Sequence, residues 1–178
     1  MEHQKQFNFL KQKFESNNLG HAYVLSGRDV ESLKTFANDF AKLIDCKCPD
    51  VITVRSADRK SSLTNGKDMM EIVIEQIRDV QSFLAYKPYY GNFKMVVMEN
   101  AERMTTDAQD CFLKNLEEPK GQTLIFLISA KPELLRSTIL SRCQTITFLS
   151  DAKPVAENKE LLQIIQGDLA EKFKYAKA

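Results

Sequence analysis

Short apolar runs alternate along the chain with segments that have the periodicity of amphipathic helices. The runs are Ala22 to Leu25, Val51 to Val54, Lys94 to Met98, Thr123 to Ile128 and Thr145 to Phe148. Each run has the length of a buried strand, and strands that alternate with helices are typical of the βαβ units of a parallel sheet. The pattern predicts a doubly wound α/β domain with one strand for each run.

Three segments between the runs predict helices, because their apolar side chains recur at spacings of three and four residues. The apolar positions are Leu33, Phe36, Ala37, Phe40 and Leu43 in the first segment, Ile74, Ile77, Val80 and Leu84 in the second, and Ala108, Phe112 and Leu116 in the third. We expect the second helix to end before Pro88. Thr106 and Gln109 have the spacing of a capping box that begins the third helix. Pro119 and Gly121 then end it.

The remaining segments predict connections and a domain boundary. Ser56 to Asp68 is polar and contains Asn65-Gly66, which predicts a surface loop. Pro132 to Leu140 predicts a short helical connection before the last strand. After Asp151 to Pro154 the pattern becomes helical, with few apolar partners. We therefore expect one domain over residues 1–150, followed at 151–178 by a linker and the start of a helical lid domain.

The charges are balanced, with 25 Lys and Arg against 24 Asp and Glu in 178 residues and a net charge of +1. No bulk positive field attracts a phosphate backbone, so we expect the chain alone to bind DNA poorly. The longest apolar stretch, Leu124 to Ile128, is far shorter than the ~18 residues of a membrane-spanning helix. The first residues also lack the apolar core of a signal peptide. These features predict a cytoplasmic protein without membrane contact.

The chain has four cysteines, Cys46, Cys48, Cys111 and Cys143. In a reducing compartment we expect free thiols. The spacing of Cys46 and Cys48 is too tight for the usual zinc knuckle, and His3 and His21 have no suitable spacing either. We therefore expect no metal site. A small metal-binding interaction module stays open as an alternative, which metal analysis of the purified chain would test.

The turn after the first strand lies where an open parallel sheet places its functional crevice. A phosphate-binding P-loop requires glycines, a Lys for the terminal phosphate and a Ser or Thr for magnesium. In the eight positions that begin at Gly27, Ser32 replaces the second glycine, and Leu33 replaces the Lys. Lys34 replaces the hydroxyl, and two acidic residues add negative charge inside the loop. We expect this vestigial P-loop to bind no nucleotide cofactor.

The end of the third strand should carry the other half of an ATPase site. That half consists of an Asp that binds magnesium and a Glu that activates water. Glu99 and Asn100 occupy these places. Glu99 retains a carboxylate for a metal, but an Asn side chain cannot act as a base. We therefore expect no hydrolysis, and the chain is not predicted to be an enzyme by itself.

Four segments occur in an order and spacing that identify a family. They are Ile74 to Arg78, Gly91 to Met104, Leu113 to Pro119 with its Leu-Glu-Glu-Pro signature, and Ser141 to Gln144 with Ser-Arg-Cys. These segments resemble the AAA+ module of bacterial clamp-loader subunits, and the resemblance extends from His21 to Phe148. It implies a P-loop NTPase-like AAA+ core, a five-stranded parallel sheet sandwiched by helices, with a helical C-terminal tail.

The resemblance also implies a function. In this family, subunits with an intact P-loop bind ATP, whereas a subunit with a degenerate one serves as a rigid stator. The chain is then a non-catalytic subunit of the DNA polymerase III clamp loader, within a DNA-directed DNA polymerase (nucleotidyltransferase) holoenzyme. The implied partners are ATP-binding subunits and the delta subunit in a hetero-oligomeric ring, with the sliding clamp and primed DNA reached through the complex. The isolated fragment is expected to be monomeric. The alternative is an ATP-binding NTPase of the clamp-loader type with a divergent loop.

Arg142 is the residue to which the resemblance assigns a catalytic role. In clamp loaders the matching Arg reaches across an interface to the ATP of a neighbouring subunit, where a planar, permanently charged guanidinium suits a γ-phosphate. From the residues alone, an Arg that pairs with a local carboxylate stays an alternative. Ser141 and Cys143 flank it as expected packing and capping residues. Relatives usually have an Arg at the position of Leu140. The sequence therefore gives no support for a second basic contact beside that of Arg142.

The sequence also supports expectations for three further sites. Glu117 and Glu118 are adjacent at a helix end and cannot face each other, so we expect a solvated helix terminus there. Ser129 lies at or next to the position where ATP-binding relatives carry a polar phosphate sensor. Cys46-Lys-Cys48-Pro49 resembles the collapsed remnant of a four-cysteine zinc module that many relatives carry.

Overall fold

The computed structural model describes residues 3–58 and 70–149, in which helices cover both faces of one parallel sheet. The helices are α1 (Gln4–Glu15), α2 (Val30–Leu43), α3 (Ile74–Ala85), α4 (Thr106–Glu117) and α5 (Ser137–Leu140), with 3₁₀ turns at Ala101–Arg103 and Pro132–Leu134. The strands are β1 (Ala22–Ser26), β2 (Val51–Val54), β3 (Ala57–Asp58), β4 (Met70–Glu71), β5 (Lys94–Met98), β6 (Thr123–Ser129) and β7 (Gln144–Thr147). The five predicted strands and the three helices predicted between them are therefore present.

The main sheet has five parallel strands in the order β2-β5-β6-β1-β7. Because neighbouring strands are parallel, their carboxyl ends meet at one edge of the sheet. Ser26 of β1 pairs with Ser129 of β6 and with Thr147 of β7, and Val54 of β2 pairs with Met98 of β5. The turns that follow β1, β2, β5 and β6 consequently lie along this edge, which is where the predicted nucleotide site would be.

Two apolar layers form the core, because successive strand residues point to opposite faces. On one face, α3, α4 and α5 pack against residues such as Val24, Val96 and Ile125. On the other face, α1 and α2 pack against Leu25 and Phe126 with their neighbours. The sequence shows no strict alternation in β5 and β6 because helices bury both of their faces.

Three details differ from the sequence expectations. The N-cap of α4 is Thr105 rather than Thr106, and its hydroxyl accepts a hydrogen bond from Ala108 N at 3.2 Å. Gln109 forms no capping box, because its amide donates to Met104 O and accepts from Arg136 N. Strand β7 also begins and ends one residue earlier than predicted.

The predicted surface loop contains unexpected structure at its beginning. β3 pairs with β4 in a small antiparallel sheet, so the chain returns to β4 before α3 begins. The rest of the predicted loop, residues 59–68, lies outside the described residues. Helix α1 was not predicted, since its sequence is largely polar, and only Leu10 of this helix is fully buried.

One compact unit of the chain ends at Phe148. The predicted linker and lid domain, residues 151–178, lie outside the described residues, so this part of the domain assignment stays a prediction. Among the described helices, none combines the length and the apolar character needed to cross a bilayer.

Candidate functional site

The turn after β1 is too short to wrap around a phosphate. Only Gly27, Arg28 and Asp29 separate β1 from α2, so most of the eight P-loop positions are helical. The Asp29 carboxylate caps α2 and accepts a hydrogen bond from Ser32 N at 3.2 Å. Leu33 N donates to the Asp29 carbonyl oxygen. A side-chain anion therefore occupies the helix N-terminus, which is where a P-loop would bind a phosphate.

The one glycine that matches a P-loop has a packing role here. A Cβ at Gly27 would lie 3.2 Å from the Phe148 Cβ and 3.3 Å from the Leu33 Cδ1. Its amide also donates to Ser129 O at 3.1 Å. Gly27 thus allows Phe148 to approach the end of β1, and its N–H is already bonded within the protein.

Ion pairs connect the two halves of the predicted nucleotide site. The Glu99 side chain, which is only 8% exposed, lies 3.0 Å from Arg55 Nε and 3.4 Å from Lys34 Nζ. Lys34 Nζ also donates to Glu31 at 2.8 Å. The hydrogen bond to Glu31, followed by the charge of Glu99, raises the pKa of Lys34 above its usual range. An ammonium group of the chain therefore neutralises the carboxylate that would otherwise be free for magnesium.

Asn100 has a conformational role at the end of β5. Its backbone is left-handed, with φ 51° and ψ 52°, a region that Asn tolerates better than most residues. The Asn100 carbonyl accepts a hydrogen bond from Arg103 N at 2.8 Å, which closes the 3₁₀ turn Ala101–Arg103. This geometry explains an Asn at this position without any catalytic task.

The two remaining P-loop positions are also engaged within the fold. Leu33 is buried on the core face of α2, so the position that would present a Lys to phosphate points into the protein. The Ser32 hydroxyl lies 3.0 Å from His3 Nε2, and the His3 ring packs edge-on against Phe148. The residue just before α1 therefore contacts the vestigial loop.

The open space beside the turn is unfavourable for an anion. A groove of about 430 Å³ is lined by Phe7, Asp29, Glu31, Ser32, Thr35, Phe36 and Asp39. All of its charged side chains are carboxylates, which repel phosphate. At the end of β6, the buried Ser129 hydroxyl accepts a hydrogen bond from Lys131 N at 3.2 Å, so the predicted sensor position is engaged within its own loop.

Arg142 lies on the surface in the turn between α5 and β7. Its Nη2 is 2.7 Å from Glu117 Oε1, at the end of α4. Its Nη1 donates to Thr138 O at 2.9 Å and to Ser141 Oγ at 3.3 Å. The local pairing that the sequence left as an alternative is thus present, yet 37% of the Arg142 side chain stays exposed. We expected Glu117 to belong to a solvated helix terminus. In the structure its carboxylate also pairs with Arg142.

The residues that flank Arg142 have structural roles. The Ser141 hydroxyl donates to Thr138 O at 3.0 Å. Cys143 packs against the core, and burial raises the pKa of its thiol to about 12. A thiol with this pKa holds very little thiolate near neutral pH, so Cys143 is not an activated nucleophile.

The two neighbouring cysteines, Cys46 and Cys48, differ in burial and in contacts. The buried Cys46 thiol donates to Phe93 O at 3.2 Å, and burial with nearby Asp50 raises its pKa to about 11. Cys48 is exposed. In residues 3–58 and 70–149, no group of three or more His, Cys, Asp or Glu side chains is placed to hold a metal ion.

Sequence reasoning missed three partners at these sites: Arg55, His3 and Glu117. A signal for Arg55 existed, because Arg55 and Glu99 directly follow two predicted strands and such strands tend to end at the same sheet edge. Val54 and Met98 are indeed paired in register. His3 and Glu117 had no comparable signal, since their contacts depend on how α1 and α5 pack.

Comparisons with known proteins show the family to which the chain belongs. The family model described as "DNA polymerase III, delta subunit" matches residues 2–152. The subunit delta' of DNA polymerase III from Pseudomonas aeruginosa is 43% identical over 135 residues, covering 69% of this chain and 41% of the relative. The chain belongs to the DNA polymerase III delta-prime family. The subunit delta' from Haemophilus influenzae is 32% identical and covers 85% of this chain and 53% of that relative.

A solved structure supports the fold of this delta-prime family member. A DNA polymerase III gamma subunit-related protein from Thermotoga maritima matches with a TM-score of 0.66 and 28% identity, over 94% of this chain and 52% of that protein. The predicted α/β fold of the AAA+, P-loop NTPase-like type is confirmed. The chain spans about half the length of these relatives, or less.

Proposed function

We propose that this chain is the AAA+ part of a non-catalytic stator subunit of the DNA polymerase III clamp loader. In this proposal it neither binds nor hydrolyses ATP, and it donates Arg142 to the ATP site of a neighbouring subunit. Its partners are ATP-binding subunits and the delta subunit, and the sliding clamp and primed DNA are reached through the assembled ring in the cytoplasm.

The observation that carries the proposal is the internal occupancy of the vestigial nucleotide site. Asp29 caps the helix that would bind phosphate, and Lys34 pairs with the carboxylate that would bind magnesium. A nucleotide would have to displace both interactions and gain no P-loop amides in return. Calorimetric titration of magnesium-ATP into the chain tests this part, and a micromolar dissociation constant would favour the ATP-binding alternative instead.

The trans role of Arg142 is tested in the reconstituted clamp loader. Arg142→Ala should lower the steady-state ATPase on primed DNA, because an arginine finger supplied in trans contributes about 10³-fold or more at its own site. The total loss is smaller, since other sites receive their fingers from other subunits. The melting temperature should change little, because the ion pair with Glu117 is on the surface. A strongly lowered melting temperature with unimpaired ATPase would contradict the proposal.

A further inference from the structure

We infer that Glu117 is a positioning residue that holds the Arg142 guanidinium in the orientation needed by the neighbouring ATP site; this inference rests on the proposed function. The two residues lie far apart in sequence, and the fold brings them together. Glu117 ends α4, while Arg142 follows α5, and Glu117 Oε1 is 2.7 Å from Arg142 Nη2.

The position of Glu117 is locally unfavourable for a carboxylate. The C-terminus of a helix carries partial negative charge, so an acidic last residue is destabilising unless a cation compensates it. The only basic residue in the last turn of α4 is Lys114. Arg142 brings a guanidinium to this end from another element. The positive charge of Arg142 therefore stabilises the C-terminal end of α4, and Glu117 in turn holds the Arg142 side chain near that end.

The contacts of Arg142 engage both terminal nitrogens of its guanidinium and still leave donors available. A guanidinium has five N–H donors, and the contacts with Glu117, Thr138 and Ser141 engage only Nη1 and Nη2. More than a third of the side chain is exposed. A phosphate group can therefore approach the remaining donors.

Glu117 holds the Arg142 guanidinium from a second element of the domain. Thr138 and Ser141 hold Nη1 from α5 and the turn after it, where Ile139 is also buried in the core. Glu117 belongs to α4, whose Phe112 and Leu116 are buried in the core. A long Arg side chain held in its working orientation loses less conformational entropy when it binds, which is the general benefit of preorganisation.

The pair is too weak to withhold Arg142 from a nucleotide. The Arg142 side chain is 37% exposed and that of Glu117 is 49% exposed, and exposed ion pairs contribute little free energy. A polyphosphate with several negative charges competes easily for the same cation. Glu117 is therefore expected to orient Arg142 and to promote turnover, rather than to suppress it.

The experiment compares variants in the reconstituted complex with its ATP-binding subunits, on primed DNA. Glu117→Ala should lower kcat for ATP several-fold with little change in KM, because a finger acts on the transition state. Glu117→Gln, which keeps an acceptor oxygen, should retain more activity. Glu118→Ala is the matched control, since this adjacent carboxylate is not among the contacts of Arg142, and it should leave kcat unchanged. The double variant Glu117→Ala with Arg142→Ala should be no slower than Arg142→Ala alone.

The outcomes separate the inference from the proposed function. If Arg142→Ala leaves the ATPase unchanged, the proposed finger role fails. If Arg142→Ala lowers kcat while Glu117→Ala behaves like Glu118→Ala, the positioning role alone fails. A rise in kcat with Glu117→Ala, or a double variant with fully additive losses, also overturns it. Equal melting temperatures of the single variants exclude unfolding as the cause.

Discussion

The polar residues around the end of β1 and β5 are held by partners inside the protein. Glu99 is the centre of this arrangement, because it is buried and has a cation on each side, Lys34 and Arg55. A buried carboxylate that loses a partner retains its desolvation cost without full compensation. These ion pairs thus contribute to stability at the positions that an intact P-loop site would use for magnesium and phosphate.

Removing one of these cations should destabilise the fold measurably. Lys34→Met takes a partner from Glu99, and we expect the free energy of unfolding to fall by about 1–3 kcal/mol. Lys42→Met is the matched control on the same helix, because Lys42 pairs with Asp39 with 78% of its side chain exposed. The control should lose about 0.5 kcal/mol or less. Urea denaturation of both variants measures the difference, and equal losses would contradict the role assigned to Glu99.

The cysteines should differ sharply in their reactivity toward alkylating reagents. Cys48 is exposed, whereas burial raises the pKa of Cys46 to about 11 and that of Cys143 to about 12. Since the thiolate is the reactive form, Cys48 should be modified well before either of them in the folded chain. Mass spectrometry after timed iodoacetamide treatment locates the modified site, and Cys48→Ser should remove the fast phase. Rapid modification of Cys143 would contradict the burial of its thiol.

Among the elements, α2 most clearly determines what the vestigial site can do. It begins at Val30, and its core face carries Leu33, Phe36 and Phe40. The apolar face and the Asp29 cap both favour an early helix start. A P-loop needs the same residues in a non-helical loop, so the helix and the loop exclude each other.

Restoring the P-loop residues should therefore damage α2 rather than create a nucleotide site. Leu33→Lys places a charge at a position that is 1% exposed, and Ser32→Gly adds a flexible residue to the first turn. We expect the double variant to lose about 3 kcal/mol or more of stability. It should also gain no ATPase activity, since Asn100 still cannot activate water. Thermal melting and calorimetric titration with magnesium-ATP check the two expectations, and a stable variant that binds ATP would refute them.

Among the residues that the structure describes, the pKa values of Tyr23, Lys34, Cys46 and Cys143 shift in the same direction. Burial raises the pKa values of Tyr23, Cys46 and Cys143, and the hydrogen bond with Glu31 is the main reason why that of Lys34 rises. In each case the unfolded chain loses its proton at a lower pH than the folded chain. By linkage, a raised pKa contributes stability below the unfolded value and loses it as the pH increases toward the folded value.

The free energy of unfolding should accordingly fall in alkaline solution. The window begins near the ordinary thiol pKa of 9.0 and extends to about 12 for Cys143. Chemical denaturation at several pH values across the lower part of this window measures the slope. Cys143→Ser should make the slope shallower, because it removes one proton that the folded chain retains. Stability that stays constant or increases over this range would contradict the burial of these groups.

The element pattern and the family were accessible from the sequence because they depend on local order. Residue periodicity encodes whether a segment forms a strand or a helix, and all five predicted strands of the main sheet were found within about one residue. The absence of the second glycine, the Lys and the hydroxyl can also be recognised from the sequence, because a P-loop requires these residue types at fixed spacing. The cap of α4 was misplaced by one residue because Thr105 and Thr106 are chemically equivalent candidates.

The partners of the site residues were decided by packing. Glu99 meets Lys34 only because β1 and β5 end at the same edge of the sheet with α2 packed beside them. Arg142 meets Glu117 only because α5 packs near the end of α4. Such contacts join residues distant along the chain, and their formation depends on the free energy of the whole fold rather than on any local preference. The residue types at these positions could therefore be predicted from the sequence, whereas the ion pairs that they form within the protein could not.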